Sequence, residues 1–172
     1  MGATELSERC HIGARHLRVL RRICDKLGDG DVTWAVSAGM NLALQGVPVQ
    51  AHDIDLRTDA AGAFEIERRL ATFVVRRVQF SVGDRIRSLF GALRIDDITV
   101  EIIGDAETLR DDGTWESSEG WAERRVFLEL GSNLVPVLPL DLEHQMYGRL
   151  GRADKVEVLA RWFSQQGRRT DL

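Results

Sequence analysis

The stretch Trp34-Ala35-Val36-Ser37-Ala38-Gly39 and the later stretch Asp53-Ile54-Asp55-Leu56 decide the fold of this 172-residue chain. The first stretch is β-branched and aromatic until it reaches small residues, which predicts a buried strand that ends in a tight turn. Residues 40–45 then predict a short helix, which Gly46 and Pro48 end. The second stretch predicts another strand, so the two stretches form a strand-turn-helix-strand unit.

Two carboxylates lie two positions apart on the second predicted strand. Side chains at i and i+2 share a face of a strand, with Cα atoms about 6.7 Å apart, so Asp53 and Asp55 point to the same side. Away from a solvent-exposed strand end, their charges need compensation, and a divalent cation such as Mg²⁺ supplies it with oxygen ligands. Glu101 interrupts the apolar run over residues 98–103 and is the candidate third carboxylate of a two-metal site. Its alternative role is a charge on an edge strand that discourages aggregation.

The turn Ser37-Ala38-Gly39 lies between a strand and a helix N-terminus, where free backbone N–H groups favour anions. It is therefore a candidate phosphate site. Arg57 lies on the same strand as the acidic pair and could neutralise triphosphate charge. Its alternative role is a solvated ion pair with Asp59.

Periodicity predicts helices outside this unit. An amphipathic helix over residues 6–27 comes first and ends at Gly28 to Gly30. Thr58 or Asp59 caps a further helix, and two helices close the chain at residues 140–150 and 153–165. The apolar positions of the helix after Asp59 are Phe64, Ile66, Leu70 and Phe73.

The strand predictions complete a mixed sheet that helices cover on at least one face. Residues 74–103 alternate with period two and predict antiparallel strands, with a hairpin turn at Asp96-Asp97. Residues 104–123 predict a polar excursion over the surface that includes Trp115 and Trp121. For these tryptophans, packing is favoured over stacking on an acceptor or a base. A hairpin over residues 125–138 places its proline on an edge strand.

Composition excludes several classes of protein. Apolar residues make up 44% and charged residues 29% of the chain, as in a globular domain with a sizeable core. The net charge of -4 argues against a surface built for nucleic acid or anionic lipid, although it allows a local basic pocket. No secretory signal or membrane-spanning run is evident, and Cys10 and Cys24 lie about 21 Å apart on one predicted helix. A reduced, cytoplasmic protein is expected.

These motifs resemble the nucleotidyltransferase superfamily built on the DNA polymerase β palm. Its pattern is an apolar strand, a Gly-Gly or Gly-Ser turn, a short helix, an Asp-apolar-Asp strand and a third acid on a later strand. More narrowly, Trp34, the segment from His52 to Leu56 and the segment from Lys155 to Leu159 resemble small bacterial nucleotidyltransferases of aminoglycosides and lincosamides. The resemblance spans about residues 30 to 104 and, weakly, the final helices.

The resemblance implies an α/β (α+β) nucleotidyltransferase fold, with a mixed β-sheet, flanking helices and a C-terminal helical pair. We expect one domain over residues 1–139 and a helical segment over residues 140–172 packed on it. The implied reaction transfers a nucleoside monophosphate, usually AMP from ATP, to an acceptor hydroxyl and releases pyrophosphate. The expected acceptor is a small molecule rather than protein or RNA.

The resemblance also implies residue roles. Asp53 and Asp55 would bind Mg²⁺, Glu101 would be the third ligand and general base, and the turn from Ser37 to Gly39 would hold the triphosphate. Two positions depart from the family pattern, because Ala38 replaces the first glycine of the turn and Glu101 replaces the commoner aspartate. The alternatives are a weak or inactive nucleotide-binding module of the same fold, or a toxin-antitoxin component that modifies protein or RNA.

Overall fold

The structure is a computed structural model that describes residues 12–28, 30–117 and 120–170. The chain's elements form a large sheet with helices packed on both of its faces. In chain order they are α1 (Ala14–Leu27), β1 (Trp34–Ser37), α2 (Ala38–Leu44), β2 (Ile54–Thr58), α3 (Ala60–Arg69), a 3₁₀ turn (Ala71–Phe73), β3 (Val74–Val82), β4 (Ile86–Ile95), β5 (Ile98–Leu109), β6 (Trp115–Ser117), β7 (Val126–Leu130), β8 (Asn133–Val137), α4 (Leu140–Arg149) and α5 (Ala153–Thr170).

The sheet is mixed, as predicted. Its strand order is β3-β4-β5-β2-β1-β8-β7, and β6 pairs with β5. β2 lies between β1, with which it is antiparallel, and β5, with which it is parallel. The strand that carries Asp55 is therefore at the centre of the sheet, where both of its edges are hydrogen-bonded.

The two faces of β2 have different partners. Ile54 and Leu56 are fully buried in the main core, together with apolar residues of α1 and α3. Because successive side chains alternate between faces, Asp55 and Arg57 point to the opposite face. The guanidinium of Arg57 contacts Met146 of α4 there. A second apolar cluster joins α2, α4 and α5 through Leu42, Val47, Tyr147 and Leu159.

The predicted N-terminal helix is shorter than expected in the described part of the chain. α1 begins at Ala14, and Gly13 has extended backbone angles. It ends as predicted, with Gly28 at φ +65° and its N–H bonded to the carbonyl of Cys24. Leu6, Cys10 and the predicted caps Thr4 and Ser7 lie outside the described residues.

The prediction that residues 104–123 form a polar excursion over the surface is wrong for residues 104–109. β5 continues to Leu109, and β6 returns beside it. Its inward positions Gly104, Ala106 and Thr108 are buried, but they are small or polar. The period of two persists in the structure, but the sequence does not show it as an apolar alternation.

The prediction that the hairpin proline lies on an edge strand is also wrong. Pro136 is on β8, which lies between β7 and β1. The N–H of Leu138 donates to the carbonyl of Val36, so position 136 would face the carbonyl of Trp34 in a parallel ladder. Proline has no N–H to donate, and Arg125 Nη1 donates to Trp34 instead, at 3.0 Å. The arginine thus replaces the missing ladder bond.

Other local predictions have mixed outcomes. The turn at Asp96-Asp97 joins β4 to β5, and both residues have positive φ, as type I′ hairpin turns require. Asp59 caps α3 by accepting from the N–H of Gly62 at 2.7 Å. Phe64, predicted on the apolar face of that helix, is half exposed instead. None of the helices in the described ranges is both long and apolar enough to span a membrane.

The packing of α3 on β5 depends on a glycine, which gives a test of the fold. A Cβ at Gly104 would lie 2.7 Å from Ala63 Cβ and 3.1 Å from the carbonyl oxygen of Asp59. We expect Gly104→Ala to lower the free energy of unfolding by about 1–3 kcal/mol, measured by urea denaturation, because the helix has to shift. Gly148→Ala is the matched control, since an added Cβ there meets no atom within 4 Å. It should raise stability by up to about 1 kcal/mol, as alanine favours a helix interior. Equal effects of the two substitutions would contradict this packing.

Candidate active site

Three acidic side chains converge where β2 begins. Asp55 and Glu101 are direct partners in the parallel register of β2 and β5. Their carboxyl groups are hydrogen-bonded to each other, and the charge of Asp53 acts on both. Asp53 lies at the bend before β2 rather than on the strand, and it is partly exposed. The structure thus brings together the three acids that the sequence predicted, with a one-residue difference in the start of the strand.

The carboxyl groups are crowded enough to alter their protonation. Burial raises the pKa of Asp55 well above its usual value, and the neighbouring charges of Asp53 and Glu101 raise it further. Burial also raises the pKa of Glu101, while Arg76 opposes the rise. A hydrogen bond between two carboxyl groups needs a proton on one of them, and the raised pKa of Asp55 favours such a shared proton. A cation that replaced this proton would relieve the same repulsion.

The donor set fits a hard divalent cation by its chemistry. All three side chains offer carboxylate oxygens, which are the ligands that Mg²⁺ prefers, and their unrelieved repulsion favours positive charge between them. Within residues 12–28, 30–117 and 120–170, no three His, Cys, Asp or Glu side chains are already spaced to enclose one ion. Asp55 and Glu101 thus form a close pair of carboxyl groups, and Asp53 lies near enough for its charge to act on both.

The predicted phosphate turn leads directly into a helix. Ser37 is the N-cap residue of α2, and Ala38 is its first residue. Ala38 has φ +54°, a left-handed conformation that glycine adopts freely and alanine does not. The departure from the family pattern therefore falls on the position with the positive φ. Beside Gly39 the structure is open, since an added Cβ would meet nothing within 4 Å.

The backbone N–H of Ala38 is bonded to a side chain that sequence reasoning missed. It donates to Glu143 Oε1 at 2.8 Å, and Asn41 Nδ2 donates to the same oxygen at 2.8 Å. Glu143 is fully buried, and burial raises its pKa to about 6. Its other oxygen, Oε2, has no hydrogen-bond partner. The carboxylate thus links α4 to the turn.

The sequence gives little signal for Glu143. The regularly spaced apolar side chains of α4 and its end, Leu142, Met146 and Leu150, are only partly buried. Glu143 and Tyr147 are the buried residues of that helix. A glutamate in a first helical turn is typical of an exposed residue that interacts with the helix dipole, so its burial could not be inferred.

Arg57 is a buried cation on the same face as Asp55. It is 4% exposed, and its Nε has no hydrogen-bond partner. The guanidinium contacts the sulfur of Met146 and lies 5.6 Å from the centroid of the Trp121 ring. The ion pair with Asp59 considered from the sequence does not form. Burial lowers the pKa of Arg57, although the charge of Glu143 opposes this shift.

Arg57 lines a cavity of about 530 Å³ between the β5–β6 hairpin and α4. Trp115 and Trp121 both line it and are partly exposed, so they are not core residues. The cavity is lined by Arg57, Glu107, Arg110, Trp115, Glu116, Ser117, Trp121, Arg124, Leu138, Leu142, Gln145, Met146 and Arg149.

Comparison with known proteins identifies the family. The profile of the aminoglycoside-2″-adenylyltransferases matches residues 19–159, which is most of the chain. The chain belongs to the aminoglycoside-2″-adenylyltransferase family. This membership confirms the resemblance inferred from the motifs, and it indicates a nucleotidyltransferase.

Two solved structures are also similar to this chain. The crystal structure of TM1012 from Thermotoga maritima, named as a candidate nucleotidyltransferase, is 45% identical and has a TM-score of 0.78. The match covers 90% of this chain and 96% of TM1012. The lincosamide antibiotic adenylyltransferase LnuA, solved with lincomycin, is 11% identical with a TM-score of 0.53, over 87% of this chain and 98% of LnuA. This second likeness shows the fold alone. No match was found among curated protein sequences.

The left-handed alanine gives a test of the turn. Ala38→Gly should raise the free energy of unfolding by up to about 1 kcal/mol, because relief of backbone strain exceeds the entropy that glycine adds to the unfolded chain. Ala61→Gly, on the exposed side of α3, is the control and should lower stability by about 1 kcal/mol. Urea denaturation measures both changes. A loss at position 38 as large as that at position 61 would show that Ala38 is not strained.

Proposed function

We propose that this chain is a Mg²⁺-dependent nucleotidyltransferase that transfers AMP from ATP to a hydroxyl group of a small-molecule acceptor. The observation that carries the proposal is the convergence of Asp53, Asp55 and Glu101 beside the turn at the start of α2. The family assignment supports nucleotidyl transfer in general. We place the reaction in the cytoplasm, where ATP and Mg²⁺ are available.

The chain's own residues divide into a metal-binding set and a phosphate-binding set. Asp53, Asp55 and Glu101 would hold Mg²⁺, which supplies charge neutralisation at the reacting phosphate and activates the attacking hydroxyl. The turn from Ser37 to Gly39 would hold the triphosphate. The open space beside Gly39 supports an approach of phosphate oxygens to the backbone there.

The transfer is a substitution at the α-phosphorus of ATP. The acceptor oxygen forms a bond to this phosphorus, and the bond from the phosphorus to the bridging oxygen of pyrophosphate breaks. The acceptor hydroxyl loses its proton to Glu101, the proposed general base, which is less buried than Asp55. Pyrophosphate leaves with the electron pair of the broken bond.

The C-terminal helices form part of the proposed active domain. α4 provides Glu143 to the turn and Met146 to Arg57. α4 also packs against α5, and the two helices share an apolar cluster with α2. We therefore propose that residues 140–172 act with residues 1–139 as one catalytic unit.

One observation favours a second function, which is nucleotide binding without transfer. The Ala38 N–H, which a phosphate oxygen could use, is already bonded to Glu143. If the triphosphate cannot engage the turn correctly, the fold would keep affinity for nucleotide and lose the reaction. An assay for transfer of labelled AMP distinguishes the two functions.

The central prediction concerns the carboxylates. With α-³²P-labelled ATP, Mg²⁺ and a panel of hydroxyl-bearing acceptors, wild type should form a labelled acceptor. Asp53→Asn, Asp55→Asn and Glu101→Gln should each lower the rate at least about 100-fold, because each removes a carboxylate that would hold the Mg²⁺ that neutralises the reacting phosphate. Without metal, Asp55→Asn should keep or raise the melting temperature, since it removes a repelled carboxyl group.

Asp97→Asn is the matched control for these variants. Asp97 is an exposed residue at positive φ in the β4–β5 turn, a conformation that asparagine tolerates well. Its activity should equal that of wild type. Binding of ATP that is unaffected by the carboxylate variants, with no transfer to any acceptor, would instead favour the binding module.

A further inference from the structure

We propose that the cavity between the β5–β6 hairpin and α4 binds the acceptor, and that this acceptor is an anion with a flat or apolar ring face. The assignment of this ligand as the acceptor rests on the proposed function, because a binding cavity alone does not show which molecule reacts. The binding site itself stands on the charge, burial and aromatic lining described below.

The cavity is positive in a chain that is negative overall. Four arginines and two glutamates line it, whereas the whole chain carries a net charge of -4. The neighbouring ion-pair partners do not cancel the excess. Arg87 pairs with Glu107 at 2.5 Å, and Arg124 pairs with Asp141 at 2.5 Å.

Glu116 is shared between two of the lining arginines. It bonds Arg110 and also pairs with Arg149 at 3.1 Å. One carboxylate therefore balances two guanidinium groups. Negative charge supplied by a ligand would balance the remaining positive charge of these guanidinium groups.

Arg57 provides the strongest argument for an anion. A cation that is nine-tenths buried normally has a paired carboxylate, because uncompensated burial costs several kcal/mol. Arg57 forms no ion pair within 4 Å of any described carboxylate, although the charge of Glu143 acts on it, and its buried Nε has no hydrogen-bond partner. Because Arg57 lines the cavity, a carboxylate or phosphate group of a ligand there would supply opposite charge and could accept from its guanidinium.

The two tryptophans of the lining predict the other half of the ligand. Arg57 lies 5.6 Å from the Trp121 ring centroid, and Arg87 lies 4.8 Å from that of Trp115. Each ring is thus held by an arginine while part of it remains exposed. A sugar or aromatic ring could pack on such a surface while its charged group reaches Arg57.

The position of the cavity suits an acceptor rather than the triphosphate. In the register of β1 and β2, Ser37 pairs with Asp55, so the turn lies beside the acids. Arg57 pairs with Ala35 and lies two residues further along β2 from Asp55. Arg57 and Asp55 are on the same face, about 6.7 Å apart along the strand. In this proposal Arg57 therefore serves the cavity ligand, and the turn serves the nucleotide.

The charge of the cavity distinguishes this chain from what its family name describes. Aminoglycosides carry several protonated amines, which four arginines would repel. A cationic antibiotic would also leave Arg57 unpaired.

The test compares ligands that differ only in charge. Isothermal titration calorimetry, without nucleotide or metal, would measure 4-nitrophenyl β-D-glucuronide against 4-nitrophenyl β-D-glucoside, and salicin 6-phosphate against salicin. We expect the charged member of at least one pair to bind about tenfold or more tightly. Tobramycin, as the cationic probe, should not bind in this cavity.

Two variants and one control locate the site. Arg57→Gln should abolish the preference for the charged ligand, and Trp121→Leu should weaken both members of the pair. The second variant keeps the test informative if Arg57→Gln fails to fold. Arg161→Gln, which alters an exposed ion pair with Glu157 on α5, should bind like wild type.

Four results would overturn the proposal: equal binding within both pairs, a charge preference that survives Arg57→Gln, unchanged affinity for both members of a pair in Trp121→Leu, or displacement of the charged ligand by ATP with Mg²⁺. The last would assign the cavity to the nucleotide. Charge-selective binding combined with no nucleotidyl transfer to any acceptor would overturn the acceptor role and the proposed function together, while the anion site itself would stand. The failures of the two proposals are therefore distinguishable.

Discussion

The candidate active site is defined by the repulsion between two carboxyl groups on neighbouring parallel strands. Asp55 and Glu101 occupy paired positions of β2 and β5, in the middle of the sheet. A pair of acids at this position destabilises an isolated domain, since each carboxylate loses hydration and gains a like-charged neighbour. In the function we propose, a bound cation relieves this repulsion, and the other elements of the face are described relative to that cation.

The C-terminal helices connect this centre to the rest of the molecule. Glu143 reaches from α4 to the turn at Ala38, and Met146 reaches from the same helix to Arg57. One helix therefore touches both the proposed nucleotide side and the proposed acceptor side. Because Glu143 bonds a backbone N–H in the turn, a change in the position of α4 would change the geometry of the phosphate site.

Much of this arrangement could be predicted from the sequence. The strand-turn-helix-strand unit, the hairpin at Asp96-Asp97 and the two closing helices follow from periodicity and turn residues. Asp53, Asp55 and Glu101 were recognisable because charges stand out within apolar runs. The apolar alternation that predicts a strand is absent from β5 beyond Ile103, because Gly104 and Thr108 occupy buried positions there.

The features that could not be predicted depend on contacts between distant parts of the chain. The contact of Glu143 with Ala38 spans more than a hundred residues, and nothing near position 143 distinguishes this glutamate from an exposed one. The replacement of a ladder bond by Arg125 has the same character. The cavity is built from the hairpin, the loop before β7 and α4, so its charge appears only when these segments are together.

The central claim is that the three acids share one cation. The most direct measurement is a crystal structure with Mn²⁺ and a non-hydrolysable ATP analogue, in which anomalous scattering locates the metal. We expect an anomalous peak at bonding distance from carboxylate oxygens of Asp53 and Asp55, about 2.1 Å as for Mg²⁺, with Glu101 adjacent. A metal held only by the phosphates, with Asp55 still bonded to Glu101, would contradict it.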